Sequence, residues 1–141
     1  MKTKLSTIAT LLLMFISLNS FANVTLNPLK ALDSKRILTT YVEAISLGTT
    51  DHNKFLFAND FEYVNATNDT KYSKKQYIKF LDSTKGLKFD CTTEYQILDE
   101  SGNSCVAKAI MTFEKFVRID YITLLKSTDG WKVSKVVTTY P

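Results

Sequence analysis

One histidine, two cysteines, two prolines and a small charge imbalance are all that this chain of 141 residues offers of those features, and each scarcity removes a class of function. Metal sites gather three or four side chains from histidine, cysteine and carboxylates. A lone His52, with no Cys/His/Asp spacing around it, supplies no such set, and no cofactor is expected. The formal net charge is +4, and Lys2 and Lys4 at the extreme N-terminus carry two of those charges. The remainder lacks the basic surface that nucleic acid requires. The densest lysine cluster, SKKQYIK at residues 73–79, has the spacing of a solvated helix face. With no biased or repeated segment, a composition 45% hydrophobic and 12% aromatic is that of an ordinary globular domain.

A long apolar run is missing too. The longest, IATLLLMFISL at residues 8–18, falls well short of the roughly 20 residues that cross a membrane. It follows Lys2 and Lys4 and precedes Ser20 and Ala22, small residues spaced as a signal-peptidase site requires. Residues 1–22 therefore read as a signal peptide cleaved after Ala22. Residues 23–141 read as one exported domain, secreted or periplasmic, with no membrane attachment once the signal is removed. No cysteine follows the cleavage site, which argues against a lipoprotein, since Cys91 and Cys105 lie far downstream. That length suits one core, burying on the order of 65% of the unfolded surface.

Leu29, Leu32, Leu38, Tyr41, Val42 and Ile45 recur at helical intervals, which predicts an amphipathic helix over residues 27–47, capped by Asn27 and ended by Gly48. A shorter helix after Asp51 carries Phe55, Leu56 and Ala58. Phe61, Tyr63 and Asn65 then alternate with Glu62 and Val64 as a short strand, followed by the polar loop ATNDT. A third helix starts at Ser73, with Gln76 completing a capping box, and stops at Gly86.

The rest alternates with a period of two, and four strands in a meander are expected. In LKFDCTTEYQIL, Leu87, Phe89, Cys91, Tyr95 and Ile97 share one face; in SCVAKAIMTFE, Cys105, Ala107, Ala109, Met111 and Phe113 do. If both faces are to meet the same core, odd residues must pair with odd. A three-residue loop over residues 100–102 does this, pairing Tyr95 with Ala107 and Phe89 with Phe113. Cys91 then lies far from Cys105, beyond the roughly 7 Å between Cα atoms that a disulfide spans, so two free thiols are expected. Strands RIDYITLLK and WKVSKVVTTY join through a second hairpin turn at residues 127–130. Helices segregated beside an antiparallel sheet make the fold class α+β, a cone whose open end holds an apolar pocket.

The element order, with the segments YVEAISLG, FLFANDFEY and YITLLKSTDGWKVSKV, resembles the nuclear transport factor 2-like superfamily, and within it the small exported proteins named "putative lumazine-binding". The resemblance implies three N-terminal helices packed on a curved antiparallel sheet. Ketosteroid isomerase shares the superfamily, and comparison with it implies that Tyr41, in YVEAI, stands at the oxyanion-hole tyrosine. The same comparison sets Asn65 where that enzyme has its general base, an aspartate. An amide cannot take a proton from carbon, whereas such a base contributes roughly 10² to 10⁴-fold. Asp60, Glu62, Asp120 and His52 are the substitutes available, and each has a simpler place in a turn, on the surface or in an ion pair.

The leading reading is a non-enzymatic exported domain that binds a small apolar or aromatic ligand, or an extracytoplasmic partner, in the cone. The candidate ligand-binding residues are Tyr41, Tyr63, Asn65, Phe89, Tyr95, Phe113, Tyr121 and Trp131, since small-molecule pockets are apolar with a few polar groups. Two alternatives stand beside it. One is an enzyme of isomerase, cyclase or dehydratase type, which needs an acid or base near Tyr41. The other is an interaction module forming a homodimer through the sheet, which needs an exposed apolar patch. Lys88, Asp90, Glu94, Gln96, Lys108 and Glu114 argue against that patch on the first two long strands.

Overall fold

Asp33, rather than Asn27, caps the long helix. The computed structural model describes residues 25–141, so the expected signal peptide and its cleavage lie outside the described residues. Helix α1 runs Ser34–Leu47, with the Asp33 side chain accepting from the Arg36 amide. Asn27 instead closes a turn by accepting from the Leu29 amide, and its Nδ2 donates to the Asp129 carbonyl oxygen. This tether holds the turn against the distal hairpin so closely that a Cβ on Gly130 would lie 2.6 Å from the Lys30 carbonyl oxygen. The leucine periodicity continues through the turn, which is why it read as helix.

Gly48 ends α1 in the left-handed region, at φ 66°. Its carbonyl accepts from the Gly86 amide at 3.0 Å, and the Ser46 carbonyl accepts from the Phe89 amide at 2.9 Å, so the end of α1 is sewn to a later loop. A Cβ on Gly48 would meet the Gly86 nitrogen and the Thr84 carbonyl oxygen, each at 2.5 Å. Both are backbone atoms and cannot swing aside. Gly48→Ala is therefore expected to cost more than the roughly 1 kcal/mol of left-handed strain alone, and urea unfolding measures it.

Helix α2 is a single turn, Asn53–Leu56, and Ala58 belongs not to it but to strand β1, Phe57–Asn65. The loop after β1 returns as a strand the sequence reading had not separated, β2, Thr70–Ser73, antiparallel to β1. Helix α3, Lys74–Ser83, starts with the expected capping box of Ser73 and Gln76. Strands β3 (Thr92–Ser101), β4 (Ser104–Thr112), β5 (Val117–Ser127) and β6 (Gly130–Thr139) follow as a meander. The six-stranded order is β2-β1-β6-β5-β4-β3, antiparallel throughout except that β1 runs parallel to β6. The sheet curves over α1 without closing, the α+β cone expected.

Register departs from expectation in an instructive way. The β3–β4 loop is the two-residue Gly102-Asn103, closed by Ser101 opposite Ser104, and not residues 100–102. A two-residue loop alone would set the faces against each other, and an irregularity between Ile97 and Asp99 restores them, so that Ile97 meets Ala107 and Tyr95 meets Ala109. Odd still pairs with odd, but two positions along from the expected partners. Leu87 and Phe89 precede the strand, and β3, at the sheet edge, stays exposed except for Ile97. Tyr41 is fully buried, whereas Tyr95 and Phe89 are exposed; the four residues Tyr41, Phe89, Tyr95 and Phe113 do not share one buried region. Both cysteines are free. Cys105 lies opposite Glu100 and Cys91 precedes the ladder.

Under α1, the inward positions of β4, β5 and β6 (Ala107, Ala109, Met111, Ile122, Leu124, Val133, Val136) meet Ile37, Leu38, Tyr41 and Ile45 in one core. The opposite face of β4–β6 is different. Val106, Ile110, Ile119, Tyr121, Leu125 and Val137 lie there at least partly exposed, and no described helix covers them.

Candidate functional site

Alternation along β5 sets Arg118, Asp120, Ile122 and Leu124 on the concave face. From there, Asp120 reaches Arg118, Tyr41 and Thr138. It is 1% exposed, and its two oxygens accept four hydrogen bonds. Oδ1 takes Arg118 Nε at 2.9 Å and Thr138 Oγ1 at 2.6 Å; Oδ2 takes Arg118 Nη2 at 3.0 Å and the Tyr41 hydroxyl at 2.7 Å. The acid near Tyr41 that the enzyme alternative requires is thus present, in Asp120. Asp120 is both the buried acid and the partner of arginine, two roles that had been set as alternatives. Because Tyr41 gives its proton to Asp120, the Tyr77 hydroxyl 3.4 Å away is left to donate to Tyr41.

Burial first, then the adjacent Asp120 charge, holds the Tyr41 hydroxyl well above its ordinary range, and burial pushes Tyr77 up to about 12. Burial alone would lower Arg118, but the Asp120 charge and hydrogen bond together with the neighbouring Tyr77 and Tyr41 outweigh it and hold the guanidinium well above its usual value. Both phenols thus keep their protons at neutral pH beside a fixed cation. In the unfolded chain they ionise near pH 10, and in the fold only at higher pH, so the folded state holds more protons in between and stability falls as pH rises. Tyr77 alone should cost roughly 2 kcal/mol by pH 12. Urea unfolding between pH 9 and 12 should show this loss, flatter in Tyr77→Phe; identical slopes would contradict it.

Above this network lies a cavity of about 180 Å³ lined by Tyr63, Asn65, Asn68, Thr70, Tyr72, Tyr77, Phe80, Arg118 and Tyr140. One wall is an aromatic stack. The Tyr63 ring lies 4.7 Å from that of Tyr77 at 13° and 5.7 Å from that of Tyr72 at 16°. Phe57 and Phe61 seat the stack from beneath. Asn65 stands at the end of β1, where its Oδ1 accepts from the Thr67 amide, so Nδ2 is the atom left for the cavity.

Of the residues singled out from sequence, Tyr63 and Asn65 line this cavity. Tyr41 lies behind its floor, with its hydroxyl turned inward. Phe113 and Phe89 meet edge to face near the open end, outside the cavity wall. Tyr95 reaches Thr39 of α1 from the edge strand, and Tyr121 lies on the outer face under Lys108. Trp131 is buried in the core. These five do not meet at one site, because β3 begins too late to bring Phe89 in and because Tyr121 falls on the wrong parity. Arg118, Tyr72, Tyr77, Phe80 and Tyr140 were missed as site residues. For Arg118 a signal existed: it is two residues before Asp120, hence on the same face. Of the substitutes for the missing base, Asp60 and His52 are exposed, and Glu62 pairs with Lys135 at 3.2 Å on the surface. No cluster of three metal-ligating side chains occurs among the described residues.

A family model described as "Putative lumazine-binding" matches residues 33–139, from the cap of α1 to the last residue of β6. The chain belongs to that family. Solved structures share its fold. An NTF-2-like protein of unknown function from Silicibacter pomeroyi aligns at 14% identity with a TM-score of 0.62, covering 76% of this chain and 92% of its own. An NTF2-like protein of unknown function from Shewanella baltica gives 17% and 0.62, covering 76% and 90%. An NTF2-like protein from Cytophaga hutchinsonii gives 13% and 0.61, covering 78% and 100%. No curated protein matches. The chain thus has the nuclear transport factor 2-like fold, and at these identities the structural likeness carries the fold alone.

Proposed function

We propose that this member of the lumazine-binding family is an exported domain that binds a small molecule in the Tyr63–Tyr77–Arg118 cavity and performs no acid–base chemistry there. One observation carries the reading: the single buried carboxylate of the site, Asp120, has its four acceptor positions filled by protein donors. An ionised carboxylate offers about four such positions, so a substrate proton would find none without breaking the network. The remaining wall is aromatic, amide and hydroxyl beside the Arg118 guanidinium, able to stack and to hydrogen-bond. Export rests on the N-terminal sequence, and N-terminal sequencing of the mature protein should begin at Asn23.

Native mass spectrometry of protein purified from its own cells tests the binding. A small-molecule adduct is expected, absent from Thr70→Trp, whose indole would plug the cavity. An identical adduct in both proteins, or none in either, would overturn the reading.

A second function, self-association, is favoured by the uncovered apolar face of β4–β6. The charges expected to break such a patch lie on β3 or outside the strands, apart from Lys108, and Ile110, Ile119, Tyr121 and Val137 adjoin one another across the register, with Val106 and Leu125 beyond Thr123. Sedimentation should give a dimer that Tyr121→Glu dissociates, and a monomeric wild type would remove the proposal.

A further inference from the structure

The cavity is too small for the ligands its surroundings are built for. About 180 Å³ holds the volume of about six waters and falls below the roughly 300 Å³ where pockets for drug-sized ligands begin. One ring with a polar head fills it. Yet the aromatic surface does not stop at the mouth. Phe80 and Tyr140, both in the cavity wall, are 47% and 38% exposed. Tyr140 continues to Phe116, 48% exposed, at 6.0 Å between ring centroids, and Phe116 stacks on Phe113 at 4.4 Å and 14°. Large aromatics left in water cost free energy unless something covers them.

The ledge is placed relative to Arg118 through Tyr140. Phe116, in the turn just before β5, meets the ring of Tyr140, which lines the cavity together with Arg118. The Phe116 carbonyl oxygen accepts from the Phe113 amide at 2.9 Å, which fixes the turn that presents both rings. At the inner end, a guanidinium carries five N–H donors, and Arg118 gives Nε and one from Nη2 to Asp120. The Nη1–Nη2 edge, which has the spacing of two carboxylate oxygens, remains. Arg118 lines the cavity and is 14% exposed. Ligand-side acceptors are what this edge recognises, and the Asp120 charge behind it keeps the guanidinium in place.

Building on the small-molecule reading, we infer that the ligand is an aromatic carboxylate of two or more rings. Its acid head meets the outer edge of Arg118, its first ring lies against Tyr63 and Tyr77, and the rest of its ring system lies over Tyr140 and Phe116. The rim thus selects length and the guanidinium selects the acid.

Titration with 2-naphthoate, benzoate and the neutral 2-naphthalenemethanol, followed by the tyrosine-ring resonances of the mature protein, separates the parts. Naphthoate is expected to bind about tenfold or more tightly than either comparison compound. Phe116→Ala, a change at an exposed position, should bring naphthoate down to benzoate's affinity without affecting benzoate. Arg118→Lys, which keeps a cation against Asp120 but loses the forked edge, should weaken naphthoate by about tenfold and leave the alcohol within about twofold. If the alcohol matches naphthoate while shifting Tyr63 and Tyr77, the acid class is wrong and the cavity reading stands. If Phe116→Ala changes nothing, the extended ligand is wrong. If none of the three compounds shifts Tyr63 or Tyr77, the inference and the binding site fall together.

Discussion

Replacing Arg118 with methionine is expected to destabilise the domain by about 3–5 kcal/mol, the cost of leaving a buried charge without its partner. Asp120 would keep only the hydroxyls of Tyr41 and Thr138, two neutral donors where a cation stood. Against a total stability of about 5–15 kcal/mol, that loss leaves little or no folded protein at elevated temperature. The double change Arg118→Met with Asp120→Leu should recover much of it, because removing both charges also removes the desolvation they required. Urea unfolding of the three proteins decides this. A single variant within about 1 kcal/mol of wild type would mean that water reaches Asp120, and that its carboxylate is open to a substrate after all.

A comparable loss is expected at Phe57. Its ring is fully buried and touches Tyr41, Phe61 and Tyr77 at centroid distances of 6.3, 4.6 and 5.5 Å, so one side chain joins α1, β1 and α3. Phe57→Ala removes that volume from a site bounded by the sheet and two helices, with little room to collapse, and should cost about 3–5 kcal/mol. Phe57→Leu, which keeps most of the volume, should cost about half as much. The alanine variant should also lose ligand binding before it loses its fold, since the Tyr77 ring rests edge-on against Phe57. Thermal melting together with the Tyr77 ring resonances would reveal this. An unshifted Tyr77 would show that the stack is held by other contacts.

The sequence read well wherever a local signal had no tertiary rival. The capping box at Ser73, the left-handed stop at Gly48 and the two-residue periodicity of β4 all depend on neighbouring residues, and they stand as read. Failures came where distant contacts intervened. Asn27 has the makings of a helix cap, but its bond to Asp129 draws it into a turn. The β3–β4 register was solved by an irregularity at Leu98, which leaves no mark in an alternating pattern. The short β2 exists because β1 offers it a ladder. For the site, aromatic content was legible but not which aromatics converge, since that depends on where α3 lays Tyr77 and Phe80. For Asp120, the roles of buried acid and partner of arginine are compatible. A surface pair and a buried pair have the same sequence, and only the closed cone distinguishes them.

The chain's seven tyrosines make the most direct test of where ligands bind. Tyr63, Tyr72, Tyr77 and Tyr140 line the cavity, Tyr41 lies behind it, and Tyr95 and Tyr121 stand on the edge strand and the outer face. With ¹³C-labelled tyrosine rings, the ligand that co-purifies with the protein, or 2-naphthoate in its place, should shift the four wall residues strongly and Tyr41 weakly, leaving Tyr95 and Tyr121 unmoved. Shifts centred on Tyr95 or Tyr121, with Tyr63 and Tyr77 unchanged, would place binding on the sheet surface and contradict the assignment of the cavity.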